Sequence, residues 1–198
     1  MRLELLILGH FRKFEELELK DLHPSMNVLV GENASGKTTI LEGAAIALGA
    51  FLSGLGLGSQ DVRNMQPSDV RHVTYTEGGK LLLRSTHEAF VGAKDSDDHL
   101  WARTKKASSS GEPSKKTTRK YTSGIRKHAV AIDAKVQAGI EVDLPTLGYY
   151  STGRAWRQKN NTFPKRQVGR RYSGYTDALA AESSLPRLAD WMKTETLT

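Results

Sequence analysis

The residues with the clearest chemical meaning are Gly31-Glu32-Asn33-Ala34-Ser35-Gly36-Lys37-Thr38, which fit the pattern Gly-x-x-x-x-Gly-Lys-Thr at every fixed position. Each residue type answers a need of a phosphate cradle. Gly31 lets the chain leave a strand and turn sharply. Gly36 lets the backbone approach an anion where a Cβ would collide. The amides of Glu32, Asn33, Ala34 and Ser35 can point inward as a nest for oxygens. Lys37, the candidate catalytic residue, would reach the β- and γ-phosphates as a mobile point charge. Thr38 would give its hydroxyl to Mg²⁺, and Thr39 would bond the α-phosphate. A helix starting near Lys37 would add the positive end of its dipole. The pattern therefore implies a bound nucleoside triphosphate, ATP, with Mg²⁺.

Four fixed positions also arise by chance, so the flanking elements decide. Met26–Val30 is a short, mostly apolar run, as a buried strand requires. Thr38–Phe51 reads as a helix with Leu41, Ala44, Ala45, Leu48 and Phe51 on or near one face. Residues 2–8 and 14–19 read as two earlier strands. Residues 70–76 and 80–86 read as a hairpin joined at Glu77-Gly78-Gly79. Ser123–Ala138 has helical spacing, Leu144–Tyr150 reads as an apolar strand, and Ser184–Lys193 has an amphipathic helical pattern.

Hydrolysis needs more than a cradle: an acid on the metal and a group that orients water. Ala129-Val-Ala-Ile-Asp133 is the best pattern match for the acid, but it lies inside a helical pattern and reads as surface helix. Leu52-Ser53-Gly54-Leu55-Gly56 and Ser110-Gly111-Glu112 echo a Leu-Ser-Gly-Gly-like turn before a helix but read as plain turns. Ser151, Thr152 and Arg154 follow an apolar strand, where they would sense a γ-phosphate or form a simple turn. His87, His99, Asp97 and Asp98 could gather in space, against the plainer reading of separate surface residues.

The chain has 198 residues, no cysteine and a net charge of +7. Disulfides and thiolate chemistry are excluded. No basic-then-apolar leader is visible, and the longest nearly apolar run, Gly43–Gly58, falls short of the about 20 residues of a membrane helix. A soluble cytoplasmic protein without membrane contact is expected. The charge excess suits a polyanion partner, and a solubilising surface explains it equally well. Residues 94–120 read as an exposed, mobile basic loop, and 154–171 are again basic. With Trp101, Tyr121, Trp156, Phe163 and Tyr172 interleaved, these stretches suit DNA or RNA, with a solvated loop as the alternative.

Met26-Asn-Val-Leu-Val-Gly-Glu-Asn-Ala-Ser-Gly-Lys-Thr-Thr-Ile-Leu-Glu-Gly43, together with His10-Phe-Arg-Lys-Phe14, resembles ABC-type P-loop ATPases of the RecF, SMC and OLD branch. Leu144–Trp156, Tyr172–Leu179 and Leu188–Met192 are similar to bacterial ATPases, some of which sit in antiphage systems such as Septu and retrons. The resemblance implies that Asn33 shapes the loop and that Arg12 lies near the nucleotide. It implies the N-terminal portion of an α/β P-loop ATPase domain over residues 1–198, with a mixed sheet, an antiparallel portion and flanking helices. It also implies ATP-driven dimerisation of the whole ATPase head, a role in defence or DNA repair, and a downstream origin for the missing acid and signature. A sensor that holds ATP without turnover and regulates a partner nuclease, and a nucleic-acid-binding fragment with a vestigial loop, are the alternatives.

Overall fold

A computed structural model describes residues 1–57, 62–85, 87–106, 118–151, 172–176 and 178–179. The strands β1 (Leu3–Phe11), β2 (Phe14–Leu19), β5 (Ala89–Asp95), β6 (Leu100–Lys105) and β7 (Thr118–Lys120) form one sheet in the order β2-β1-β5-β6-β7. Every neighbouring pair is antiparallel. The strands β3 (Val73–Glu77) and β4 (Lys80–Arg84) form a separate hairpin. The helices are α1 (Lys37–Gly54) and α2 (Ser123–Gln137).

The core lies between the large sheet and α1. Leu6, Leu8 and Phe11 of β1 meet Ala89, Val91 and Ala93 of β5, and Trp101 extends the layer. Helix α1 is buried over most of its circumference, which explains its small residues. A Cβ on Gly43 would sit 2.6 Å from Leu8, and one on Gly54 would sit 2.5 Å from Ala129 of α2. Ile125 and Ala129 are the buried residues of α2. Past its Ala138 cap stands Gly139, whose φ of 73° permits the paired bonds Gly139 N–H to Val136 O and Ile140 N–H to Lys135 O.

Strand β6 feeds polar groups into this core. The Trp101 indole N–H donates to Ala47 O at 2.9 Å. Arg103 donates to Ile46 O and to Arg63 O. Lys105 is buried and donates to Met65 O at 3.2 Å. Burial pushes its ammonium pKa below the ordinary value, while the charge of Asp69 acts the other way. The folded chain thus sheds this proton at lower pH than the unfolded chain does. The cost is full below the folded pKa and fades as pH rises toward 10.5. Lys105→Met is expected to stabilise the protein at neutral pH by ~1–2 kcal/mol, with the advantage shrinking in alkali. Urea melts at neutral and at alkaline pH measure this.

Several expectations change. Met26–Val30 forms no strand, and Met26, Val28 and Val30 are 73, 73 and 91% exposed. A strand needs neighbours for its ladder, and the described residues offer this segment none. The sheet is correspondingly antiparallel, not mixed. Of the basic loop expected at 94–120, residues 107–117 lie outside the described residues, and the rest takes in the end of β5 and all of β6, where Arg103 and Lys105 are interior groups. Period-two alternation of Trp101, Arg103 and Lys105 along one face is the signal that the charges obscured. Residues 144–150 adopt no strand. The hairpin, the first two strands and both inner helices form where expected. Among the described residues no helix is long and apolar enough to cross a membrane.

Candidate functional site

The loop Gly31–Thr38 enters α1 directly, with Lys37 as the first helical residue. Its shape comes from left-handed backbone at Ala34 (φ 61°) and Gly36 (φ 105°) and from a Ser35 N–H bond to Glu32 O. Gly36 is required twice over. Its φ disfavours a side chain, and a Cβ would lie 2.5 Å from the Phe14 ring and 2.9 Å from the Lys13 side chain. Gly31 is close to Ser35 Oγ in the same sense, at 2.9 Å.

The opening of α1 is electropositive. Gly36 gives no side-chain cap, and the first turn contains no acid. The free first-turn N–H groups and the helix dipole therefore face the loop without internal compensation, as an anion site requires. Lys37 lies across the loop, with Nζ donating to Gly31 O and Glu32 O at 2.6 Å each and to Ser35 Oγ at 3.4 Å. Thr38 is exposed in the first turn, and Thr39 is half-buried beside it. Glu32 and Asn33 are exposed on the loop.

Arg12 and Lys13 occupy the turn between β1 and β2, and they diverge. Arg12 turns to Asp69, with Nε 2.9 Å from Oδ1, and to Glu42 of α1. Arg63 joins the same two carboxylates at 3.0–3.2 Å. Asp69 is fully buried and also accepts the Gln66 N–H at 2.7 Å. Burial works against the Arg12 charge, but the hydrogen bond to Glu42 and the charge of Asp69 outweigh it and raise the pKa. Two cations and two carboxylates thus brace the β1–β2 turn against α1. Lys13 instead reaches the loop, donating to Ala34 O at 2.7 Å. It is the loop-contacting cation that sequence reasoning missed, because the Phe-Arg-x-Phe pattern drew attention to its neighbour.

Of the second group of candidates, Ser151 is half-buried, while Thr152 and Arg154 lie outside the described residues, as do the basic stretch 154–171 and the helix expected at 184–193. Asp133 lies on α2, as a surface-helix reading requires, and accepts the Tyr172 hydroxyl at 2.7 Å. Trp101 is buried and cannot offer a stacking face. Tyr121 remains exposed, whereas Trp156 and Phe163 lie outside the described residues.

The histidine–aspartate grouping forms in altered membership. Asp95, Asp97 and His99 gather at the β5–β6 turn. His87 stacks on His10 instead, with ring centroids 4.2 Å apart, and Asp98 pairs with Lys94. The buried Asp95 carboxylate accepts the N–H groups of Asp97 and His99 and contacts His99 Nδ1 at 3.0–3.1 Å. These bonds account for the cluster as the lock of a tight turn.

A stretch of 42 residues is 52% identical to the DNA replication and repair protein RecF of Lactococcus lactis subsp. lactis (strain IL1403), covering 21% of this chain and 12% of that protein. The RecF of Listeria welshimeri is 55% identical over 42 residues, again 21% of this chain and 11% of the relative. The match thus spans only about an eighth of these relatives' length. The profile of a family described as AAA domain (AAA_23) matches residues 6–190. With the match covering nearly all of its length, this chain belongs to that AAA domain family.

Proposed function

We propose that the chain binds ATP with Mg²⁺ at Gly31–Thr39 and is the nucleotide-binding portion of a RecF-like, ABC-type ATPase that serves DNA repair or bacterial defence. The observation that carries this reading is a glycine loop running into an uncapped helix N-terminus, with Lys37 folded across the loop's own carbonyls. Those carbonyls hold the ammonium over the loop. When bound, Mg²⁺ would neutralise phosphate charge beside the Thr38 hydroxyl. Lys37 would exchange Gly31 O and Glu32 O for phosphate oxygens, and the α1 amides would hold them in place.

Lys13 extends the reading. Its ammonium is already on the loop and would contact the bound phosphates, whereas Arg12 serves the brace. Lys13→Gln is expected to weaken ATP affinity by about tenfold without lowering the stability of the free protein. Isothermal titration with ATP and Mg²⁺ gives the first quantity and a urea melt the second. Unchanged affinity would remove Lys13 from the site.

Turnover calls for groups elsewhere. Glu42 of α1 and the buried Asp69 are both committed to Arg12 and Arg63. We therefore place the metal-holding acid and the signature turn downstream in the whole protein or on a second subunit. Ser151, Thr152 and Arg154 remain our candidates for sensing the γ-phosphate. Phosphate release by the full-length protein, absent from the 198-residue chain, is the expected pattern.

A further inference from the structure

The β3–β4 hairpin stands apart from the body. All ten of its strand residues are exposed, and Leu81 and Leu83 are 74 and 69% exposed. Gly78 and Gly79 close it with positive φ, and nothing lies within 4 Å of where their Cβ atoms would be. A lone two-stranded ribbon is marginal in water, and its edges are open templates for another strand.

The two edges differ. Register places Glu77 opposite Lys80, Tyr75 opposite Leu82 and Val73 opposite Arg84. A two-residue turn makes Glu77–Lys80 a hydrogen-bonded pair, so Glu77, Tyr75 and Val73 bond inward. Thr74 and Thr76 then direct their N–H and C=O groups outward from β3, and Leu81 and Leu83 do so from β4.

We propose that β3 is a self-association edge, which pairs antiparallel with β3 of a second copy about a two-fold axis at Tyr75. That register sets Thr74 opposite Thr76 of the partner subunit in two hydrogen-bonded pairs. Tyr75 meets its own copy in the close, non-bonded position. No like charges oppose each other, because Val73 faces Glu77 of the partner subunit. The same operation on β4 sets Lys80 against Arg84 at both ends, which like-charge repulsion disfavours. The result is a closed four-stranded sheet, β4-β3-β3-β4. Lys80 and Arg84 guard its outer edges and stop further growth.

Sedimentation equilibrium of the 198-residue chain without nucleotide tests this. The expected result is a mass that rises with concentration from 21.8 kDa toward twice that value. Thr74→Pro removes an outward N–H that the hairpin itself does not use, and should weaken the dimer by at least about tenfold. If circular dichroism shows that this variant is misfolded, Thr76→Lys, which puts a cation on the edge, carries the same expectation. Lys37→Ala should leave the association unchanged, which separates it from any nucleotide-driven dimer. A chain that stays monomeric at every concentration overturns the proposal. So does a dimer indifferent to the edge substitutions, or one abolished by Lys37→Ala.

Discussion

Lys37→Ala is expected to abolish the ATP-dependent rise in melting temperature. At a nucleotide concentration of about 100 times Kd, binding stabilises the folded state by about 2.7 kcal/mol. For a chain of this size that is a shift of roughly 5–10 °C. The variant loses the charge that would meet the phosphates, along with the bonds from Nζ to Gly31 O and Glu32 O. These groups are exposed, so the free variant should melt within about 0.5 kcal/mol of the parent. Differential scanning fluorimetry with and without ATP and Mg²⁺ supplies both comparisons. A variant that still gains the full shift would place the nucleotide elsewhere.

Asp69→Ala should produce the largest loss of stability. The carboxylate is fully buried and holds Arg12, Arg63 and the Gln66 N–H at once. Its removal leaves two guanidinium groups sharing Glu42 as their one carboxylate here. Breaking a buried ionic arrangement in this way costs about 3–5 kcal/mol, a large part of the 5–15 kcal/mol typical of a domain. Asn in its place keeps the shape and an acceptor for Gln66, and should recover part of the loss. Urea denaturation gives the values. A drop below about 1 kcal/mol for alanine would mean that the brace is not rigid in solution.

The loop and the helix after it were legible because their demands are local. Gly31, Gly36 and Lys37 fix turn, approach and charge within eight residues, and α1 follows at once. The hairpin was legible for a similar reason, since two glycines suffice to close it. What sequence reading missed depends on partners distant along the chain. Arg103 and Lys105 look like loop charges until α1 and Met65 supply the carbonyls that hold them. Asp69 carries no sign of its role, because both its cations lie elsewhere, one of them 57 residues away. Met26–Val30 failed in the opposite direction. Its apolar composition suits a strand, but a strand also needs a neighbour to bond.

Helix α1 is keyed lengthwise into its surroundings. At Gly43, Gly49 and Gly54 it lacks side chains where Leu8, Val62 and Ala129 stand, each within 2.5–2.6 Å of a would-be Cβ. Sliding the helix by one turn, about 5.4 Å, would carry bulkier residues onto those three pegs. A ratchet between registers, one common way for helices to relay a signal, is therefore closed to α1. Any pull at its N-terminal end must reach α2 as a tilt of the whole rod.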